Sequence, residues 1–173
     1  MKLGFIGTGN ISSDVITGIC NSKILFKRIL ISPRNKQKAQ KLKKKFKRVN
    51  IAKNNQEVID KSDWIFLGVL PEVGEKILPK LNFKSNQTIV SFISTINYAQ
   101  LKKIIKKKVK IVRAIPMPPI SLGKGPVPIF PPDKKVKSFF DKIGTTIEIK
   151  SEKLSKNFWA ISGSMASFYE LLK

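Results

Sequence analysis

The residues best suited to bind an anion lie near the N-terminus, where Gly7 and Gly9 flank Thr8. Residues 3–6, directly before them, form a short apolar run that is typical of a strand buried on both faces. After them, isoleucine and valine recur at helical spacing over residues 11–19. Strand, glycine turn and helix in this order give the context in which a Gly-x-Gly pattern predicts a site for the diphosphate of a dinucleotide.

The physical reason lies in the backbone of this turn. Gly7 can adopt backbone angles that a side chain disfavours, and Gly9 lets the chain approach a ligand closely. The free N–H groups of Thr8, Asn10 and Ile11 would then face an anion, helped by the helix dipole. A serine takes the place of the third glycine of the usual pattern, where a small residue should suffice for helix–strand packing. The alternative is a purely structural turn between a core strand and a helix.

The stretch after the second apolar run can select between two dinucleotides. Proteins that bind NAD often carry Asp or Glu about 20 positions past the glycine pattern, where it holds the ribose 2′-hydroxyl. Here Ser32, Arg34 and Lys36 supply a hydroxyl and two cations instead. Arg34 can fork onto phosphate oxygens and Ser32 can donate a hydrogen bond, so we expect NADP(H) as cofactor, with NAD the less favoured alternative. A basic turn without this role remains open in so lysine-rich a chain.

The rest of the chain alternates short apolar runs with amphipathic segments. The pattern predicts strands at residues 3–6, 28–32, 50–53, 64–70, 88–92, 110–115, 127–130 and 145–149. It predicts helices after residue 10 and at residues 36–47, 55–59, 72–81, 98–107 and 133–143, with a further helix from residue 151 onward. Such alternation predicts an α/β fold: a Rossmann-type, doubly wound, mostly parallel sheet, followed by a C-terminal helix. Ligands gather at the carboxyl ends of the strands, on one rim that should bring together Gly7, Ser32, Leu70, Ser94 and Pro116.

Composition narrows the classes of protein. The 34 Lys and Arg against 11 Asp and Glu give a net charge of +23, which alone would suggest nucleic acid or an anionic surface. The lysines are spread along amphipathic helix patterns, so we interpret them as a solvated face that binds polyanions only non-specifically. There is no histidine, which excludes His-based triads, and we expect no metal site. Cys20 is the only cysteine and should pack as a small hydrophobe.

The chain has no apolar stretch of about 18 residues or more, so we expect no membrane span. The N-terminus enters a predicted strand at once, which leaves no room for a signal peptide. We therefore expect a cytoplasmic protein.

Seven motifs, in order, resemble those of one family. They are residues 4–11, Ser32-Pro33, Asn55-Gln56-Glu57, residues 62–67, Val69-Leu70-Pro71, residues 112–116 and Ser162-Gly163-Ser164. Together they resemble the delta-1-pyrroline-5-carboxylate reductases, the NADPH-dependent enzymes of the last step of proline synthesis. The resemblance covers essentially all of the chain.

The resemblance implies a set of binding residues. Cofactor contacts are implied at Ile6, Gly7, Thr8, Gly9, Asn10, Ile11, Ser32, Asn55, Gly68, Val69, Leu70, Pro71, Ser94, Thr95 and Ile96. It also places Glu152 where the family has a substrate-binding glutamate, although a glutamate at a helix start can equally be a partner of the helix dipole. The substrate carboxylate would need backbone N–H groups near Gly163 and Ser164. No catalytic residue is assigned.

The chain departs from the family pattern in several places. Leu70 stands where the family usually has lysine, and Met117-Pro118 stands where it has Asn-Thr. Residues 165–168 differ from the family's Gly-Pro-Ala-Tyr. The family's further helical region, with a substrate-contacting threonine and the dimer interface, would follow Lys173. We therefore expect a binding domain at residues 1–150 and, at residues 151–173, the first helix of a truncated helical domain that would otherwise form a homo-oligomer.

The expected activity is the NADPH-dependent reduction of a cyclic imine acid, 1-pyrroline-5-carboxylate, to L-proline. One alternative is a non-catalytic NADP-binding paralogue or fragment, which would bind cofactor without turnover. Another is a different NADP-dependent reductase, such as one linked to coenzyme F420. A basic nucleic-acid-binding protein is a fourth possibility, but the sequence shows neither an RNA-binding motif nor clustered aromatic residues.

Overall fold

Strands and helices alternate along the chain in a computed structural model that describes residues 1–155. The strands of this part are β1 Lys2–Ile6, β2 Arg28–Ile31, β3 Val49–Ile51, β4 Trp64–Leu67, β5 Thr88–Ser91, β6 Lys110–Ala114, β7 Pro126–Phe130 and β8 Thr145–Glu148. Its α-helices are α1 Asn10–Asn21, α2 Lys36–Lys45, α3 Asn55–Asp60, α4 Pro71–Ile77, α5 Tyr98–Ile105 and α6 Lys134–Phe140. Short 3-10 helices cover Leu78–Lys80 and Pro118–Leu122.

The strands form one sheet in the order β3-β2-β1-β4-β5-β6-β7-β8. Every neighbouring pair is parallel except β6 and β7, which are antiparallel. From β1 the chain first builds outward through β2 and β3, and then returns to place β4 on the other side of β1. This reversal between β1 and β4 opens a crevice at the carboxyl ends of the two strands, which is where open α/β sheets bind ligands.

Successive residues of each strand point to opposite faces of the sheet, and both faces are covered. On one face Leu3 and Phe5 of β1 pack with apolar residues of α1, α2 and α6. On the other face Ile6 packs with apolar residues of α3 and α5 and with Leu78. Burial on both faces explains why the strands read as continuous apolar runs, and it confirms the predicted doubly wound, mostly parallel sheet.

Several boundaries differ from the predicted ones for local reasons. The fourth strand ends at Leu67 rather than at residue 70, because Leu70 is already the N-cap of α4 and Pro71 takes its first position. The helix predicted at 72–81 changes to a 3-10 helix at Leu78, where Pro79 cannot supply an N–H group. The chain leaves α2 at Phe46, which is extended. The predicted cap of α6 by Asp133 is confirmed.

The proline-rich stretch between β6 and β7 packs across α1. Its 3-10 helix brings the carbonyl of Ile120 so close to Gly18 that a Cβ at position 18 would lie 2.3 Å from the oxygen. Gly18 therefore permits the contact between this stretch and the helix that opens the crevice. The helix predicted from residue 151 onward has its first turn at residues 152–155, and the rest of that prediction falls outside the described residues.

Candidate functional site

The turn after β1 is fixed by contacts with the ends of two other strands. Gly7 has φ +97°, and a Cβ at this position would lie 2.2 Å from the carbonyl oxygen of Gly68, just after β4. Its N–H group donates a hydrogen bond to Ser32 Oγ, just after β2, over 2.9 Å. Only glycine fits this conformation and this space, so the sequence pattern here meets a strict local requirement.

The N-terminus of α1 opens directly from this turn. Gly9 is its N-cap, and the first helical hydrogen bond runs from the N–H of Ser13 to the carbonyl of Gly9 over 3.0 Å. Among the described residues no side chain caps this end, and the first turn carries no acidic residue. The backbone N–H groups ahead of Ser13 therefore have no helical acceptor and leave the partial positive charge of the helix available to an anion.

A cavity of about 580 Å³ lies in front of this helix end, a size that suits a cofactor. It brings together three parts of the chain: the glycine turn, the beginning of α2 and the connection from β4 into α4. Its walls are formed by Gly7, Thr8, Gly9, Arg34, Asn35, Lys36, Gln37, Gly68, Val69, Leu70 and Val73.

One end of the cavity is cationic. Arg34 and Lys36 are exposed there, while Asn35 caps α2 by accepting a hydrogen bond from the N–H of Lys38 over 3.1 Å. The ammonium group of Lys38 donates a hydrogen bond to the side-chain oxygen of Asn10, which links α2 to the first residue of α1. The cations predicted to select a phosphorylated ribose therefore stand beside the helix end predicted to hold the diphosphate.

The opposite wall is apolar. Val69, Leu70 and Val73 line it, and the side chain of Leu70 is 68% exposed at the mouth. Gly68 packs against α1, because a Cβ there would lie 2.0 Å from the hydroxyl oxygen of Ser12. The absence of a side chain at Gly68 therefore lets the end of β4 lie directly against α1, beside the cavity.

The cavity wall includes some of the predicted cofactor residues and not others. Those that line it are Gly7, Thr8, Gly9, Arg34, Gly68, Val69 and Leu70. Ser32 is buried beneath the turn, where its hydroxyl oxygen accepts the hydrogen bond from Gly7. The others, none of them in the wall, are Ile6, Asn10, Ile11, Asn55, Pro71, Ser94, Thr95 and Ile96.

These other residues lie at different depths around the same rim. The side chains of Ile6 and Ile96 are buried in the core of the sheet's second face. Asn10 begins α1, while Ser94 and Thr95 are exposed in the turn after β5. The carboxyl-end rim predicted from the strand pattern is therefore present, with the cavity over only part of it.

Three residues of the wall, Asn35, Gln37 and Val73, are not among the contacts predicted from the sequence, and Lys36 is predicted only as a second cation. The pattern that could have identified these residues is the start of a helix directly after the loop that follows β2 or β4. The first turn of such a helix faces the same crevice as the loop, so α2 and α4 both add residues to it.

Glu152, in the helical turn at residues 152–155, contacts the N-terminus of another helix, α5. Its Oε1 accepts a hydrogen bond from the N–H of Tyr98, the first residue of α5, over 2.6 Å. The same oxygen lies 3.5 Å from Nη1 of Arg113. A carboxylate at this position stabilises the N-terminus of α5. The predicted substrate residues Gly163 and Ser164 lie outside the described residues.

The remaining reactive groups of residues 1–155 give no second site. No group of three or more His, Cys, Asp or Glu side chains in this part could hold a metal ion. Cys20 packs against the core, as predicted, and burial raises the pKa of its thiol to about 11, with Arg48 opposing this rise. No helix in the described part of the chain is both long enough and apolar enough to cross a bilayer.

The fold and the cavity define a dinucleotide-binding domain of the Rossmann type. Residues 2–98 match the family model described as NADP oxidoreductase coenzyme F420-dependent, and the chain belongs to this family. The model describes NADP oxidoreductases, and NADP is the cofactor class expected from the residues after β2.

The chain is also similar to individual proteins. Over 133 residues it is 29% identical to the pyrroline-5-carboxylate reductase of Escherichia coli, covering 75% of this chain and 49% of that protein. A solved 1-pyrroline-5-carboxylate reductase from Streptococcus pyogenes is 26% identical, with a TM-score of 0.83 over 99% of this chain and 66% of that one. A pyrroline carboxylate reductase from Plasmodium falciparum with NADP bound is 25% identical, with a TM-score of 0.83 and the same coverage. The chain thus spans about half the length of the curated relatives it matches.

Proposed function

We propose that this chain forms the NADPH-binding part of a reductase that converts 1-pyrroline-5-carboxylate to L-proline. The observation that carries the proposal is the similarity over 99% of the chain to a 1-pyrroline-5-carboxylate reductase at a TM-score of 0.83. The open glycine turn and the cationic loop after β2 support it from the chemistry of the residues. They offer one anion site for a diphosphate and a second for a ribose phosphate.

The cofactor would lie across the crevice with its diphosphate on the glycine turn. The N–H groups from Thr8 to Ile11 would meet the diphosphate oxygens, while Arg34 and Lys36 would take the 2′-phosphate. Arg34 is exposed, so its side chain can rotate onto the phosphate. The paired N–H donors of its guanidinium group match the spacing of phosphate oxygens. Lys36 adds a second positive charge. NADPH should therefore bind more tightly than NADH.

The chemistry that a bound NADPH supplies is a hydride for the carbon of the substrate's C=N bond, while a proton reaches the nitrogen and the amine forms. The protein's part in such a reaction is to bind and orient the two molecules and to exclude water. We assign Glu152 to the substrate side of the rim, because it stands beside the turn that follows β5. Gly163 and Ser164 complete the proposed substrate contacts.

The proposal extends to the organisation of the whole protein. Residues 1–150 would form the cofactor domain and residues 151–173 the start of a helical domain. That helical domain, where complete, would contribute substrate contacts and the interface of a homo-oligomer. The surface lysines would bind nucleic acid only non-specifically, and the protein would act in the cytoplasm.

A second candidate function follows from the family description, which names coenzyme F420. In that case hydride transfer would connect NADP(H) with a deazaflavin rather than with an imine acid, and the same first domain would serve. A third candidate is a non-catalytic NADP-binding protein, for which the same cavity would bind cofactor without turnover.

The test combines binding with turnover. Calorimetric titration of the purified chain with NADPH and NADH should give a tighter complex with NADPH. In a version extended at the C-terminus by the helical domain, loss of NADPH absorbance should then follow addition of 1-pyrroline-5-carboxylate and not of oxidised coenzyme F420. Loss with coenzyme F420 alone would favour the second candidate. Binding without turnover on either substrate would favour the third, and no binding of either nucleotide would contradict all three.

A further inference from the structure

Arg113 is a buried cation near the carboxyl end of β6, with 2% of the residue exposed. Its Nη2 donates a hydrogen bond to the carbonyl oxygen of Ser94 over 2.6 Å. Its Nη1 lies 3.5 Å from Oε1 of Glu152. Burial lowers the pKa of Arg113 and Glu152 opposes the shift, yet an arginine remains a cation in proteins. One guanidinium group therefore joins the turn after β5 to the segment after β8.

Glu152 completes the link at the other end of the same turn. Its Oε1 accepts a hydrogen bond from the N–H of Tyr98 over 2.6 Å, while Arg113 donates a hydrogen bond to the carbonyl oxygen of Ser94. The turn formed by residues 94–97 is therefore held at both ends by two oppositely charged side chains that also face each other. A turn held in this way has a defined shape, which a rim turn without such contacts would lack.

The position of this turn on the sheet indicates which half of a dinucleotide it would meet. Arg34 follows β2, so the adenosine half would lie on the β2 side of β1. The diphosphate would lie on the glycine turn after β1. The other half must then extend over β4 and β5, since these strands follow β1 on the opposite side in the sheet order. The turn after β5 therefore borders the nicotinamide half.

We propose that Arg113 is a positioning residue for the nicotinamide half of the cofactor and acts through Ser94 and Glu152. The proposal rests on the proposed binding of NADPH and adds a residue outside the cavity wall. It also connects the segment that starts at residue 151 to the shape of the rim, because the carboxylate of Glu152 belongs to that segment.

The experiment compares two ligands that share the adenosine half. NADPH carries the nicotinamide, and adenosine 2′,5′-bisphosphate lacks it. Arg113→Lys keeps the charge but loses the forked geometry. Glu152→Gln keeps an oxygen for Tyr98 but loses the charge, and because Glu152 is less buried it also serves if the arginine variant folds poorly. Lys110→Gln, which removes an exposed cation from the other end of β6, is the matched control.

Each of the two variants should weaken NADPH binding by about tenfold, the effect of a charge-assisted contact, and leave binding of the bisphosphate within about twofold. The fluorescence of the bound dihydronicotinamide should shift in both variants and not in Lys110→Gln. The double variant should be no weaker than the worse single variant, because both substitutions break one network.

Equal losses for NADPH and for the bisphosphate would overturn the positioning role and indicate a general structural one. Unchanged NADPH binding in both variants would overturn it as well. If the unaltered protein bound neither ligand, the proposed function itself would fail and this inference with it. The bisphosphate titration of the unaltered protein therefore separates the two kinds of failure.

Discussion

The backbone N–H of Gly7 donates a hydrogen bond to Ser32 Oγ over 2.9 Å, and this contact ties the turn after β1 to the end of β2. Gly7 lines the cavity, and Ser32, 1% exposed, lies beneath it. The serine thus supports the proposed anion site from below. The sequence predicts a hydrogen bond from Ser32 to the 2′-phosphate, whereas the structure shows its hydroxyl oxygen bonded to Gly7 and the residue outside the cavity wall.

Ser32→Ala should therefore destabilise the protein. Gly7 would keep its conformation but lose the acceptor of a partly buried N–H, which costs about 1–2 kcal/mol of the free energy of unfolding. Urea denaturation followed by circular dichroism measures this loss. Ser138→Ala, an exposed serine of α6, should change the stability by less than about 0.5 kcal/mol. Equal stability of Ser32→Ala and the unaltered protein would contradict the supporting role.

Gly9→Ala should separate binding from folding. Gly9 has φ −68° and ψ −177°, which alanine tolerates, and a Cβ there would lie 3.8 Å from the nearest atom, the carbonyl oxygen of Gly68. The methyl group would instead enter the cavity, where the diphosphate is proposed to lie. We expect the free energy of unfolding to stay within about 0.5 kcal/mol of that of the unaltered protein. The dissociation constant for NADPH should rise about tenfold or more. Denaturation and calorimetry measure the two quantities.

Gly7→Ala is the matched contrast. Its Cβ would lie 2.2 Å from backbone oxygen and its φ of +97° is unfavourable for alanine, so this variant should lose stability as well as binding. If both alanine variants bound NADPH like the unaltered protein, the turn would be structural only.

Arg34→Glu should change the preference between cofactors. The residue lines the cationic end of the cavity, and a carboxylate there would repel a phosphate but could still accept a ribose hydroxyl. We expect the dissociation constant for NADPH to rise about a hundredfold and that for NADH by less than about fivefold. Titration calorimetry with both nucleotides at one salt concentration measures the two constants.

The control for this change is Lys43→Glu, which makes the same reversal of charge on an exposed lysine of α2 that lies outside the cavity wall. It should affect both nucleotides equally and weakly, because salt screens distant surface charges. Equal large losses for NADPH and NADH in Arg34→Glu would contradict the 2′-phosphate assignment.

Much of this architecture could be predicted because the inner strands, such as β1, β4 and β5, are mostly buried and so appear as apolar runs, whereas the edge strands β3 and β8 are only partly buried. The strand β4 shows the limit of such a prediction. Val69 and Leu70 continue the apolar run past Leu67, yet they leave the sheet and form the cavity wall and the cap of α4. Apolarity alone cannot distinguish a residue in the core from one in a ligand crevice, since both contact apolar groups.

The network around Glu152 shows a second limit. The sequence indicated only a glutamate at a helix start, which allowed either a substrate role or a dipole role. The acceptor of the Tyr98 N–H lies 54 residues away along the chain, so no local pattern could report this contact. The sequence identified Arg113 only as part of the motif at residues 112–116. Its burial could not be predicted, because it depends on which segments pack against β6 in the folded protein.

The N-cap of α6 predicts a pH dependence of stability. Asp133 Oδ1 accepts hydrogen bonds from the N–H groups of Lys135 and Val136, each over 3.0 Å, and its Oδ2 lies 2.6 Å from Lys110 Nζ. Burial alone would raise the pKa of Asp133, but the hydrogen bonds from Lys110 and from the helix amides outweigh it and hold the pKa below its ordinary value. The folded protein thus keeps this carboxylate charged in acid where the unfolded chain protonates it.

A carboxyl group with a lowered pKa stabilises the fold fully above its unfolded pKa of about 4, and this contribution is lost as the pH falls through the folded value. Asp133→Asn keeps an oxygen for the helix amides and carries no charge at any pH. At pH 7 it should be less stable by at most about 1 kcal/mol, because the partner Lys110 is partly exposed and screened. Urea denaturation at pH 7, 4 and 3 should show this difference in the free energy of unfolding narrowing toward zero in acid.

Asp133→Ala, which also loses the cap, should be less stable by about 1–2 kcal/mol at pH 7. A gap between Asp133→Asn and the unaltered protein that stayed constant from pH 7 to 3 would contradict the charged cap, since only the charge titrates in that range.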